Sequence, residues 1–400
     1  MEAHSFFLHL LLVLLTARIF AELATRLKSP SVIGELLAGV VLGPSLLGWV
    51  DPVQAIRLLA EIGIILLLFE VGLNTDVRRL IHSGNESVVV ALAGFLLPLA
   101  LGFVLAVVVF DLPSLVALFI GGTLTATSIG ITVRVLTDLG RQQSREGQVV
   151  LGAAVLDDIM GVILLALLYE FSLGGGVSLT NVGKVFIFVA AFFVMAPIAA
   201  KLISLVIRHF DGVTGLPGLI PTTIVSLVLF FAWLAHTMGA PELLGGFAAG
   251  LALSRRFFLP FGIALRTDPQ FAAKIEAQMK PIIQLFTPIF FVMVGLSLNL
   301  HEIDWGSPFI WAFSGSMLVV AVLGKMIGVL AIKESWPLRW MIGTAMVPRG
   351  EVGLIFAELG RVSGIYSAEV YAGLVIVIAL TTLLPPLVMK WAYTRLARYY

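Results

Sequence analysis

The sequence predicts an all-α polytopic membrane protein with about thirteen transmembrane helices. It further predicts inverted repeats with two broken helices crossing at the midplane, the N-terminus outside and the C-terminus inside. Three observations lead there. The chain is 59% hydrophobic and only 12% charged, with a mean hydropathy of +1.06; soluble domains are about 25% charged. Apolar runs of about 17–25 residues, the length that crosses a bilayer as helix, follow one another along the whole chain. The basic residues fall overwhelmingly on one side of the resulting topology.

The runs place spans at about 5–25, 31–48, 55–74, 87–110, 114–138, 147–171, 183–207, 216–238, 241–254, 276–298, 307–332, 339–361 and 367–392. The first has no basic n-region and no small-residue cleavage site, so it reads as a retained helix rather than a signal peptide. Spans 31–48 and 241–254 are short and glycine-rich, which suits tilted or partly re-entrant segments. No long polar region separates any two spans, so no soluble regulatory domain is expected in this chain.

With the N-terminus outside, eighteen of the Lys and Arg residues lie in inner loops or the inner tail, from Arg26 and Lys28 to Arg395 and Arg398. Only Arg57, Lys184 and Arg361, three residues, lie outside. Missing one central helix would destroy this bias, so it supports both count and orientation. Trp49, Trp305 and Trp391 fall near span ends, where interfacial anchors belong. The net charge of +1 points to no nucleic acid and no acidic partner, and the absence of cysteine excludes disulfides, thiolate metal sites and thiol catalysis.

Eleven ionisable residues remain within or at the edges of spans: Arg18, Arg134, Lys325, Arg349, Glu35, Glu61, Glu70, Asp157, Asp158, Glu351 and Glu358. A charge at the bilayer centre costs roughly 2.5–3.5 kcal/mol, so such groups pair or line a pathway. Arg18, Glu35, Glu61 and Glu358 are also compatible with interfacial positions, reached by snorkelling. Glu70 and Arg134 suit the lining of a cavity between domains.

The sixth span carries "AAVLDDIMGV", with Asp157 and Asp158 adjacent near its middle. Helical neighbours point about 100° apart. The two carboxylates therefore face different surroundings: one can pair with a neighbouring helix while the other opens to a cavity. Carboxylate oxygens suit hard cations such as Na+ and also accept protons. Lys325, in "VVAVLGKMIGVLAI" of the eleventh span, is an available partner. It lies about 12 Å of helical rise from Lys333 at the inner face, long for snorkelling.

Two polar interruptions complete the pattern. The fifth span contains "TLTATSIGIT" (123–132) and the twelfth "MVPRGEVGLI" (346–355). Pro348 and Gly350 break a helix; Thr125, Thr127, Ser128 and Gly130 weaken one. Discontinuous helices at corresponding positions of two halves point to a transporter's midplane site. Each interruption lies in the middle of a three-span unit, spans 4–6 and 11–13, and the units have opposite topology. Arg349 and Glu351 are placed to balance the partial charges of the half-helix ends.

In order along the chain, "LKSPSVIGELLAGVVLGPSLLG", "LLLFEVGLNTD", "TATSIGITVRVLTDLG", "VLGAAVLDDIMGVILLAL", "PIFFVMVGLSLNL" and "VPRGEVGLI" resemble the monovalent cation:proton antiporter family. The likeness is to its bacterial Na+/H+ exchanger branch, near the Kef-type K+/H+ exchangers, and runs from about residue 28 to 385. It implies a homodimer in the cell inner membrane. It also implies a scaffold part at about 5–74 and 216–298, a moving core at about 87–171 and 307–392, and a linker helix at about 183–207. It implies that Asp158 binds Na+ (or Li+ or K+) and H+ in turn. Asp157, the second carboxylate of that ion site, would pair with Lys325 as a second proton-linked element. Thr127 and Ser128 would lie at the broken helix near the ion. Kef-type members usually carry Gln at the first Asp position and a cytosolic nucleotide-binding domain; Asp157 and the lack of that domain resemble an ungated, electrogenic exchanger. No enzyme activity and no cofactor beyond the transported ions are implied.

Two other classes are compatible with parts of the pattern. An intramembrane aspartyl protease needs facing carboxylates, and Asp157 and Asp158 diverge. A sodium-coupled organic solute symporter would need a second polar pocket, and the sequence offers no obvious one.

Overall fold

The computed structural model describes residues 3–27, 29–74, 83–172, 218–238, 242–253 and 269–396. Their regular secondary structure is all helical, with no strand among the described residues. The inner-loop residues Arg78, Arg79, Arg255, Arg256 and Arg266, the tail residue Arg398 and the whole linker span 183–207 lie outside the described residues.

The first helices are α1 (Ala3–Arg26), α2 (Ser31–Leu42) and α3 (Gln54–Asn74). Next come α4 (Gly84–Val108), α5 (Ser114–Thr125), α6 (Ile129–Asp138) and α7 (Arg145–Ser172). After these follow α8 (Leu219–Thr237), α9 (Glu242–Leu253), α10 (Pro269–Leu296) and α11 (Pro308–Gly328). The chain closes with α12 (Trp336–Ala345), α13 (Glu351–Val362), α14 (Ala368–Leu383) and α15 (Pro385–Leu396). By length and composition, seven described helical segments suffice to cross a membrane, and α2 and α9 are shorter apolar helices. Along α1, Phe7, Leu11, Leu15 and Ile19 are each more than half exposed. Such a surface is at home in hydrocarbon.

Where the sequence reading expected interruptions, the helices stop. The fifth span divides into α5 and α6, with Ala126 and Ser128 in extended backbone between them. The twelfth divides into α12 and α13, separated by residues 346–350. The thirteenth, expected as one run, also divides, between Leu383 and Pro385. Pro385 and Pro386 lack the N–H groups that would continue the ladder. The twelve-residue α2 ends at Leu42, before Gly43 and Pro44.

By contact, the chain forms two compact units. The first takes its described residues from Met1–Val53, Ser83–Val177 and Phe291–Tyr400. Within it, α4 packs on α5, α7 and α11. Phe119, Leu124, Phe313, Met317, Phe356 and Leu374 form a buried apolar cluster around the half-helices. Backbones approach closely where side chains vanish: a Cβ on Gly324 would meet the Pro98 ring at 2.7 Å, and one on Gly328 would meet the Gly94 amide nitrogen at 2.9 Å. Small residues at such positions let membrane helices pack by van der Waals contact without a hydrophobic driving force. The second unit takes its described residues from Gln54–His82 and Ser178–Phe290. Its centre is α9 packed between α3 and α8, with Gly250 against the Phe69 carbonyl and Gly245 against that of Phe231.

Candidate functional site

The first unit brings both unwound stretches together. Ser128 N–H donates to the Pro348 carbonyl at 2.8 Å. The Thr127 hydroxyl donates to the Met346 carbonyl at 3.1 Å, and Thr132 Oγ1 donates to that of Ala345 at 2.8 Å. From α14, Thr382 Oγ1 donates to the Arg349 carbonyl at 2.9 Å, and Arg349 N–H donates to the Thr381 carbonyl at 3.0 Å. Backbone that leaves the helical ladder inside a membrane needs such partners, because lipid offers none. Gly350 is required here by proximity: a Cβ at this position would lie 2.8 Å from Ser128 Oγ. Ser128 also caps α6, its hydroxyl accepting from Ile131 N–H at 3.5 Å.

Arg349 binds the crossing from inside. The residue is 1% exposed. Its guanidinium donates to the Val347 carbonyl at 3.0 Å, to that of Met346 at 3.4 Å, and to the Leu124 carbonyl. Leu124 is in the last turn of α5, and Met346 and Val347 directly follow α12. The cation therefore meets the carbonyl ends of both half-helices, where each helix carries partial negative charge. The side chain of Glu351, expected beside it, lies outside what the structure describes; its backbone opens α13.

The carboxylate pair sits midway along α7. Asp157 is 1% exposed and Asp158 5%. Asp157 Oδ2 accepts the Thr127 N–H at 2.8 Å, so it binds the unwound stretch just ahead of α6. Lys325 Nζ approaches the same oxygen at 3.2 Å and Oδ1 at 3.3 Å, with neither side chain exposed. Asp158, the next residue of the helix, is turned about 100° away. The two acids thus have separate surroundings. A carboxylate there offers oxygen ligands to a hard monovalent cation or a site for a proton.

Lys325 reaches Asp157 along a path opened by Gly94. A Cβ on Gly94 would stand 3.3 Å from the lysine Cδ. Inspection of the sequence did not single out Gly94, Thr132, Thr381 or Thr382. The threonines carry a weak signal, being hydroxyls in apolar spans next to expected breaks. Gly94 carries none, because a glycine in an apolar run does not announce what it makes room for.

Arg134, on α6, faces a fully buried acid of α2. Its guanidinium lies 3.5 Å from Glu35 Oε1 and 3.4 Å from Asp138 Oδ1. Ser31 Oγ accepts from Arg134 at 3.2 Å and donates to Asp138 at 2.7 Å. Glu70 lies half-buried on α3, in the second unit.

Comparison with known proteins bears on the family and the fold. The pattern described as "Sodium/hydrogen exchanger, transmembrane" matches residues 11–392. A Na+/H+-K+ antiporter of Bacillus cereus, GerN, is 35% identical over 402 residues, covering 97% of this chain and 96% of the relative. A Na+/H+ antiporter of Enterococcus hirae is 32% identical over 389 residues, covering 96% of each. Among solved structures, the sodium/proton antiporter MjNhaP1 of Methanocaldococcus jannaschii superposes with a TM-score of 0.70 at 19% identity, covering 98% of this chain and 99% of that one. The fold is that of MjNhaP1, and this multi-pass membrane protein belongs to the sodium/hydrogen exchanger family of cation/proton antiporters.

Proposed function

We propose that the chain exchanges Na+ (or Li+) for H+ across the cell inner membrane, by alternating access and electrogenically. One observation carries this reading: in a member of the exchanger family, two adjacent carboxylates are buried beside a crossing of two unwound helices, in different surroundings. In the proposal, Asp158 holds either the cation or the proton, and competition for that one site couples the two fluxes. Asp157 and Lys325 form the second proton-linked element; Thr127 and Ser128 line the ion's approach; Arg349 and Glu351 steady the crossing.

The proposed architecture has thirteen spans, two inverted three-span repeats and the N-terminus outside. A core of about 87–171 and 307–392 moves against a scaffold of about 5–74 and 216–298, joined by 183–207, in a homodimer. The basic-residue asymmetry of the loops supports the orientation.

K+/H+ exchange is the second reading, favoured by the K+ in the Bacillus cereus relative's name. The test is proton flux into liposomes carrying the purified chain, with Na+, Li+ and K+ gradients imposed one at a time and no organic solute. Na+ and Li+ should each drive protons the opposite way. No proton movement with any of the three overturns antiport, and a response to K+ alone replaces Na+ by K+.

A further inference from the structure

We propose that the groove between α11, α12 and the α14–α15 junction is a binding site for one anionic phospholipid. In this site an acyl chain fills the groove and the phosphate sits on Arg339. The groove encloses about 470 Å3 and is lined almost wholly by apolar side chains. Pockets that hold small ligands enclose roughly 300–1,000 Å3. Its walls include Leu323, Ile327, Leu384 and Val388, each between 43% and 48% exposed. In a membrane protein those side chains meet hydrocarbon. A recess among them is filled by a lipid chain, since an apolar cavity of this size gives water too few polar partners.

The mouth of the groove supplies the headgroup chemistry. Trp336 and Trp340, 59% and 41% exposed, stand at the start of α12 with Arg339 between them. Indole rings prefer the interface between hydrocarbon and headgroups. Arg339 itself lines the groove at this end. A guanidinium presents paired donors that match phosphate oxygens. The acid nearest in sequence, Glu334, is already engaged by Arg145 at 2.9 Å. Charge at the mouth therefore favours an anionic headgroup over a zwitterionic one.

The floor of the groove touches the transport machinery. Thr344, Val347 and Thr381 line it, and the Thr381 carbonyl accepts the Arg349 N–H at 3.0 Å. A chain seated there packs one hydrogen bond away from the unwound backbone. The geometry assigns the lipid a position on the back of the crossing, apart from the carboxylates.

Native mass spectrometry of the purified full chain tests this, with phosphatidylglycerol, phosphatidylcholine or inorganic phosphate added separately. The expected result is one retained phosphatidylglycerol, at least about tenfold more occupied than phosphatidylcholine, the equivalent of about 1.4 kcal/mol, and no retained phosphate. Arg339→Ala should lower phosphatidylglycerol to the phosphatidylcholine level, and Arg339→Lys should restore part of the difference. Leu323→Trp, which fills the groove, should lower retention of both lipids. Thermal unfolding of each variant in lipid-free detergent controls for folding; wild-type midpoints there leave retention as the readout. Equal retention of the two lipids, retained phosphate without lipid, or retention unchanged in both Arg339→Ala and Leu323→Trp overturns the site. A variant that unfolds early is replaced by Val322→Trp, which fills the same groove, and the same criteria apply. Ion flux is not the readout, so failure here is separable from failure of antiport.

Discussion

Asp157 and Lys325 stand 168 residues apart in the sequence, yet their side chains meet at 3.2 Å with neither exposed to solvent. The pair joins α7 to α11, and the Thr127 N–H ties the same carboxylate to the unwound stretch of the fifth span. Three elements thus converge on one side chain. Asp158 is the adjacent acid, and its helix turns it toward other surroundings.

Removal of the ion-holding carboxylate should stop exchange. Asp158→Asn is expected to reduce Na+-driven proton movement in liposomes to the level of protein-free vesicles, while thermal unfolding stays within a few degrees of wild type. Persistent cation-driven flux would refute the assignment of Asp158.

Breaking the buried pair should cost stability as well as flux. Asp157→Asn leaves the Lys325 ammonium buried without its counter-charge, and loss of one partner of a buried pair costs on the order of 3–5 kcal/mol. Asp157→Asn combined with Lys325→Met removes both charges and should recover much of that loss. The check is a double-mutant cycle on thermal unfolding. Additive losses would mean that the two groups do not depend on one another.

Lys325→Met in liposomes under an imposed membrane potential addresses electrogenicity. If the lysine is proton-linked, exchange in this variant should lose its voltage dependence. Wild-type voltage dependence would remove Lys325 from the proton path.

Arg349 contributes through carbonyls. Its guanidinium donates to Leu124, Met346 and Val347, at the ends of two half-helices. Hydrogen bonds from a charged group contribute about 1.5–3 kcal/mol each. Arg349→Ala should therefore lower the unfolding midpoint more than Asp158→Asn does. Arg349→Lys should fall between, since an ammonium cannot span both ends with a planar fork. Equal midpoints for the alanine variant and wild type would show that the crossing does not need the cation.

A last pair concerns α2 and α6. Arg134→Ala removes the guanidinium 3.5 Å from Glu35, which is fully buried. The variant should unfold earlier than wild type, and adding Glu35→Gln should restore part of the loss, because the amide carries no charge to strand. Limited proteolysis and thermal unfolding of the single and double variants measure this; a double variant less stable than the single one contradicts it.

Sequence alone determined the membrane class, because 59% apolar residues have no place in a water-soluble interior of this size. It also determined where helices must fail. Pro348 lacks an amide hydrogen, and the run Thr125, Thr127 and Ser128 competes for backbone bonds, so those interruptions are local chemistry, legible without a fold. The adjacency of Asp157 and Asp158, with the divergence it forces, is likewise a property of one helix.

What the tertiary structure decided is how distant residues answer those local needs. The spacing of the aspartates left open which would face a neighbouring helix, and only the packing of α4, α7 and α11 sets Lys325 against Asp157. The space for that lysine comes from Gly94 on a third helix. That Arg349 balances half-helix ends was legible in the sequence; which carbonyls it meets, and that Thr381 and Thr382 satisfy its own backbone, was decided by packing between segments whose sequences carry no mark of one another. Helical periodicity says which way a residue faces on its own helix. It says nothing of what stands opposite, because hydrocarbon is as apolar as a leucine face and leaves the choice of neighbour to close packing and buried polar pairs.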